Sequence, residues 1–133
     1  MIIYYLTKDD VQRINRKIVS RTEWGYNYEG GIDFTLSNVK TLYEKLPIRD
    51  AIIGKCAYQW YQIASNQYFT NGNKTTGYIV ADTFLRNNTF KLLASEDEKF
   101  FVSVAIATYN YTIDNVRQFI AKSLKQVSEN KKL

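Results

Sequence analysis

Apolar residues recur at helical spacing along most of the chain. Val11, Ile14 and Ile18 are separated by three and four residues, which predicts a first helix from about Lys8 to Ser20. Thr7 followed by Asp10 has the form of a capping box at its start. Residues 2–6 ahead of it read as a short strand or an extended arm. The stretch TEWGYNYEGGIDFT (22–35) has glycines, two aromatic clusters and no period, so a loop packed onto the body is expected there. Val39, Leu42, Tyr43 and Leu46 then predict a helix over Leu36–Leu46, which Pro47 ends or whose successor it opens.

Ile48–Ala64 is apolar around most of its circumference, as is Thr76–Arg86. Helices of that kind are central rather than peripheral. Asn87 and Asn88 suit the C-terminal end of the second. Ser95 with Glu98 forms another capping box, opening a helix through Phe101, Val104, Ala105 and Thr108. Thr112 or Asp114 starts a last amphipathic helix carrying Ile113, Val116, Phe119, Ile120 and Leu124. With no internal repeat or linker, the pattern predicts one all-α domain over residues 1–133. It is a compact bundle of about six helices, with two central apolar helices joined by residues 67–76.

Composition supports this. One proline and six glycines in 133 residues are too few turn signals for an all-β sandwich. The chain has no histidine and one cysteine, which excludes a zinc site of Cys/His type and any intramolecular disulfide. Cys56, within an apolar run, is expected to be a buried structural thiol. The start MIIYYLTKDD lacks a basic n-region and is too short an apolar run for a signal peptide or membrane span. A cytoplasmic chain without membrane contact is expected, where the sequons at Asn73, Asn87 and Asn110 carry no meaning for glycosylation. The net charge of +5 comes in part from the tail KSLKQVSENKKL. Lys and Arg within 8–21 and 117–132 are the candidates for contacting nucleic acid, but no recognition motif accompanies them and that function ranks last.

The chemistry concentrates in QYFTNGNKTT (67–76), at the mouth of a central helix. Helix N-terminal amides and the dipole favour an anion there by roughly 0.3–1 kcal/mol. Gly72 permits close approach or positive φ. Asn73 brings an amide, Lys74 a mobile cation, and Thr70, Thr75 and Thr76 hydroxyls. The same NGNK string is also ordinary turn chemistry. The residues alone leave both options open.

The stretch QYFTNGNKTTGYIVADTFLRNN resembles the core motif of the Fic/Doc family, written HxFxx(D/E)(G/A)N(G/K)R. LTKDDVQRINRKI, the YEGGID segment and SEDEKFF…YTIDNVRQFI are similar to its Doc (death-on-curing) branch. The resemblance implies a helical fold in which the motif loop caps a central helix and cradles nucleoside triphosphate phosphates. It also implies transfer of AMP or phosphate to a protein hydroxyl, elongation factor Tu as a Doc-type target, and a neutralising antitoxin as partner. Phe69 matches the motif's packing phenylalanine, and Gly72, Asn73 and Lys74 its phosphate-cradling triplet.

The family's histidine, acid and arginine fall at Gln67, Asn71 and Thr75. A glutamine amide cannot accept the proton that a general base must take, a contribution worth roughly 10²–10⁴-fold. Asn71 offers a carbonyl oxygen without the charge that Mg²⁺ prefers. Thr75 lacks the charged fork of arginine. The carboxylates considered as substitutes are Asp82, Asp33 and Glu29, though acids in such places more often cap helices or face water.

The sequence therefore implies a catalytically silent Fic/Doc-like protein from a toxin–antitoxin, phage or mobile-element setting. It would act through a protein partner or weak nucleotide binding at Gly72, Asn73, Lys74, Thr75 and Thr76, with Mg²⁺ as an optional companion of the nucleotide and Asn71 a weak metal candidate. The alternative is a divergent active transferase.

Overall fold

In the computed structural model, which describes residues 2–127, α1 (Lys8–Ile18) starts at the expected capping box. The Asp10 amide donates to Thr7 Oγ1 at 3.2 Å and the Thr7 amide to the Asp10 carboxylate at 2.8 Å. Before it, residues 2–6 form the extended arm rather than a strand. Tyr4 exchanges backbone hydrogen bonds with the Asn88 side chain, at 2.8 and 2.9 Å.

The second helix departs from expectation. α2 spans Glu29–Val39, so residues 29–35, predicted as loop, are helical, and residues 40–46, predicted as helix, form turns. Two side chains explain the shift. A Cβ on Gly31 would overlap the Tyr68 ring, so glycine inside the helix permits this close approach. At the other end, Lys55 reaches out of the core with its side chain wholly buried. Its ammonium donates to the carbonyls of Val39 at 2.9 Å and Lys40 at 3.3 Å. A cation on the last carbonyls satisfies the helix end and the negative pole of its dipole. Tyr43 then turns the chain at φ 62°, and Leu46, counted in the helical period, is exposed.

α3 (Ile48–Asn66) and α4 (Asn73–Asn87) are the two central helices. Every residue from Ala51 to Trp60 is buried. Gly77 brings α4 against α3, its missing Cβ lying 3.2 Å from Trp60 Cδ1 and 3.4 Å from Ala64 Cβ. α4 begins three residues before the apolar pattern does. α5 (Glu96–Ala107) opens with the Ser95–Glu98 box, and α6 (Ile113–Ser123) is capped by Thr112 with Asn115.

Six helices are thus present among the described residues, in a mostly helical domain. An unanticipated antiparallel ribbon adds to them: β1 (Phe90–Leu92) pairs with β2 (Leu124–Gln126), with Lys91 opposite Lys125. Residues 128–133 of the basic tail lie outside the described residues. Cys56 is fully buried, and burial, followed by the Asp82 charge, pushes its thiol well above the usual range. No helix among the described residues is long and apolar enough to cross a membrane.

Candidate functional site

The chain reverses between α3 and α4 through two residues in the left-handed region. Gln67 (φ 53°) ends α3, and Gly72 (φ 76°) begins α4. Gly72 has a second reason to lack a side chain, because a Cβ would lie 2.9 Å from Val19 Cγ1 and 3.2 Å from Asn15 Nδ2.

Between these points the loop is tied inward by Asn73. Its Oδ1 accepts from the Phe69 amide at 3.0 Å, and its Nδ2 donates to the Phe69 carbonyl at 2.8 Å. Phe69 itself is fully buried.

The segment 24–28 runs beside the loop in antiparallel fashion. The Asn27 and Tyr28 amides donate to the Tyr68 carbonyl at 2.8 and 3.0 Å, and the Thr70 amide to the Gly25 carbonyl at 3.0 Å. A side-chain latch reinforces this pairing. Thr70 Oγ1 and Asn71 Nδ2 both donate to the Glu23 carbonyl, at 2.9 and 3.0 Å. An aspartate at 71 could not make the second of these bonds.

Two buried polar chains hold the loop from below. Asn15 donates Nδ2 to the Asn71 carbonyl at 2.9 Å and to the Thr76 hydroxyl at 3.0 Å. Trp60 Nε1 donates to Ser103 Oγ at 2.8 Å, and Ser103 in turn to the Lys74 carbonyl at 2.8 Å. The entrance to α4 is therefore fixed against α1, α3 and α5 together.

The mouth of this assembly suits an anion. No side chain caps α4, and its first turn contains no acid, so its leading amides have no intrahelical acceptor. The Lys74 side chain is exposed and joins none of the ion pairs among the described residues.

A family model described as the Fic/DOC family matches residues 5–85. The chain belongs to the Fic/DOC family. No match to a curated protein was found.

In this Fic/DOC protein the named site residues separate by what they expose. Gly72, Asn73, Lys74 and Thr75 lie together at the head of α4, and Lys74 alone among them is exposed, the others being half-buried. Thr76 is wholly buried with its hydroxyl accepting from Asn15, and so offers an anion nothing. The Asn73 side chain is occupied by Phe69, leaving its amide N–H as its contribution.

Gln67 is exposed at the α3 terminus, and its carbonyl accepts from Asn27 at 3.1 Å. The donor set is a poor match for Mg²⁺. Asn71 supplies one neutral carbonyl oxygen, and no group of three His, Cys, Asp or Glu residues arranged for a metal occurs among the described residues.

The three carboxylates considered as substitutes have other partners. Glu29 and Asp33 both pair with Lys8 at the surface, and the Glu29 hydrogen bond is the main cause holding the Lys8 ammonium above its usual range. Asp82 pairs with the buried Lys99 at 2.6 Å.

Of the supporting residues, Asn15, Asn27 and Ser103 are not evident from the sequence, and Trp60 is read there as an apolar position of the central helix, without its hydrogen bond to Ser103. Asn15 did leave a signal: it stands four residues after Val11, on the buried stripe of α1. A polar residue there needs an internal partner.

Proposed function

We propose that this Fic/DOC protein binds the phosphate group of a nucleotide, or a protein partner, at the α4 entrance without catalysing group transfer. The observation that carries this reading is the contrast within one loop. The loop backbone at the head of α4 is braced by side-chain hydrogen bonds, while positions 67, 71 and 75 hold Gln, Asn and Thr. Gln67 has no basic lone pair for a hydroxyl proton, Asn71 donates to Glu23 instead of presenting a charged oxygen, and Thr75 brings no cation. The carboxylates that would replace the base are engaged elsewhere. Family membership supports a nucleotide or a protein hydroxyl as the ligand class, and a cytoplasmic toxin–antitoxin or mobile-element setting with an antitoxin-like partner suits it.

Incubation with radiolabelled ATP and Mg²⁺, with elongation factor Tu present or absent, is expected to leave both proteins unlabelled. ATP should still raise the unfolding temperature, and Lys74→Ala, at an exposed side chain, should reduce that effect. Transfer of label that is lost in Gln67→Ala would overturn the proposal in favour of an active, divergent transferase.

A further inference from the structure

Beside the α4 entrance, on the other side of Val19, the end of α1 and the residues after it line an open cleft of about 390 Å³ formed by Arg16, Val19, Ser20, Arg21 and Trp24. That volume lies within the range of small-molecule sites, roughly 300–1,000 Å³.

The Arg16 guanidinium sits over the Trp24 ring, 4.3 Å from its centroid. The indole is met edge-on by Tyr26 at 5.6 Å, and Tyr26 stacks at 4.9 Å on Phe69, which is buried in the core. The Tyr26 hydroxyl donates to Gln12 at 2.9 Å, which fixes that ring from its far end. The stack sets the guanidinium plane and leaves its edge of N–H donors free. Much of the side-chain entropy lost when arginine grips a ligand is thereby lost on folding instead.

Arg21 and Ser20 line the same cleft, and the Ser20 hydroxyl shares a hydrogen bond with the Thr22 hydroxyl at 3.2 Å, in which Thr22 can donate and leave the Ser20 proton for a ligand. Neither arginine takes part in any ion pair among the described residues. Two arginines facing one concavity without a carboxylate leave a local excess of positive charge, which an anion relieves.

We infer that this cleft is a second anion site, distinct from the α4 entrance, which takes the phosphate group of a small phosphorylated molecule. Two forks and a hydroxyl supply donors from several directions, which suits a tetrahedral oxyanion; a planar carboxylate is satisfied by one fork. The volume leaves room for a body attached to the phosphate. Val19 is shared: it lines the cleft and also packs against Gly72. The inference does not depend on the α4 entrance binding anything.

The chain contains two tryptophans, so the indole N–H region of a ¹H–¹⁵N spectrum carries one reporter and one control. Trp24 lines the cleft, while Trp60 is buried and bonded to Ser103. Titration with inorganic phosphate, and separately with AMP, is expected to shift the Trp24 signal saturably while Trp60 stays in place. Arg16→Gln and Arg21→Gln should each weaken binding roughly tenfold or more, the scale of one charged hydrogen bond. An unmoved Trp60 signal certifies their fold, and Lys74→Ala should bind like the parent chain. Saturation by AMP at lower concentration than inorganic phosphate supports a phosphorylated molecule as the ligand, and equal concentrations would overturn that part. Absence of a saturable shift against sodium chloride of equal ionic strength overturns the site. A shift lost in Lys74→Ala overturns it too, by placing the anion at the α4 entrance.

Discussion

Asn73 and Phe69 close on each other through two hydrogen bonds, one to the Phe69 amide at 3.0 Å and one from Asn73 Nδ2 to the Phe69 carbonyl at 2.8 Å. The side chain is therefore a brace, and what the loop can offer a ligand is its backbone amides and Lys74. Asn73→Ala leaves the Phe69 amide without an acceptor, while the Phe69 carbonyl keeps the Asn27 Nδ2 donor at 3.1 Å, and should lower stability by about 1–2 kcal/mol. Asn73→Asp keeps the acceptor, loses the donor, and should fall between Ala and the parent. Urea unfolding at constant m-value measures the order, and an aspartate variant no better than alanine would contradict it.

Ser103 links Trp60 to the Lys74 carbonyl. Ser103→Ala leaves a buried indole N–H without an acceptor, at a cost of about 2 kcal/mol. Adding Trp60→Phe removes the orphaned donor, so the double variant should lose less than the sum of the single ones. A double-mutant cycle without coupling would show that the chain of bonds contributes nothing.

Installing histidine, aspartate and arginine at positions 67, 71 and 75 tests the loop as a scaffold. The backbone at Gln67 is left-handed, a region where histidine is better tolerated than most residues, so Gln67→His should fold normally. Together with Thr75→Arg it should produce label transfer from ATP above the parent. Asn71→Asp should add Mg²⁺ dependence but lose the bond to Glu23, lowering stability by about 1 kcal/mol. A triple variant that folds yet transfers no label would show that the braced loop cannot support the reaction.

The α1 cap gives a pH dependence of known sign. The Asp10 carboxyl is held below its usual value, first by the Thr7 backbone amide. A depressed carboxylate contributes stability above its unfolded value of 3.8. That contribution is lost as pH falls through the lower, folded value. In α6 the amide of Asn115 does the same work, accepting from the Thr112 backbone at 2.8 Å. Asp10→Asn should therefore keep α1 while flattening the acid limb of a thermal-unfolding profile below about pH 4. An unchanged slope would assign that limb to other groups.

The helices that were legible in the sequence announce themselves locally. Thr7 with Asp10 and Ser95 with Glu98 are caps visible in four residues, and the central place of α3 is visible in apolar residues around most of its circumference. What could not be read depends on distant partners. α2 stops at Val39 because Lys55 reaches its carbonyls, and it accommodates Gly31 because Tyr68 lies there. β1 and β2 have three residues each and lie some thirty residues apart, too short for a period and too distant for a turn signal. At the site, QYFTNGNKTT was legible as the junction between the two central helices, but nothing local shows that Thr76 points inward to Asn15 or that Asn73 turns back on Phe69.

The Tyr4 backbone is held by Asn88, and the Val127 amide donates to the Thr89 carbonyl at 2.8 Å. Both outer segments of the described chain are thus moored at the far end of α4, fifteen residues from its entrance, or ~22 Å along the helix axis. A surface tether joined through either segment would hold the molecule with its α4 entrance facing away from the support.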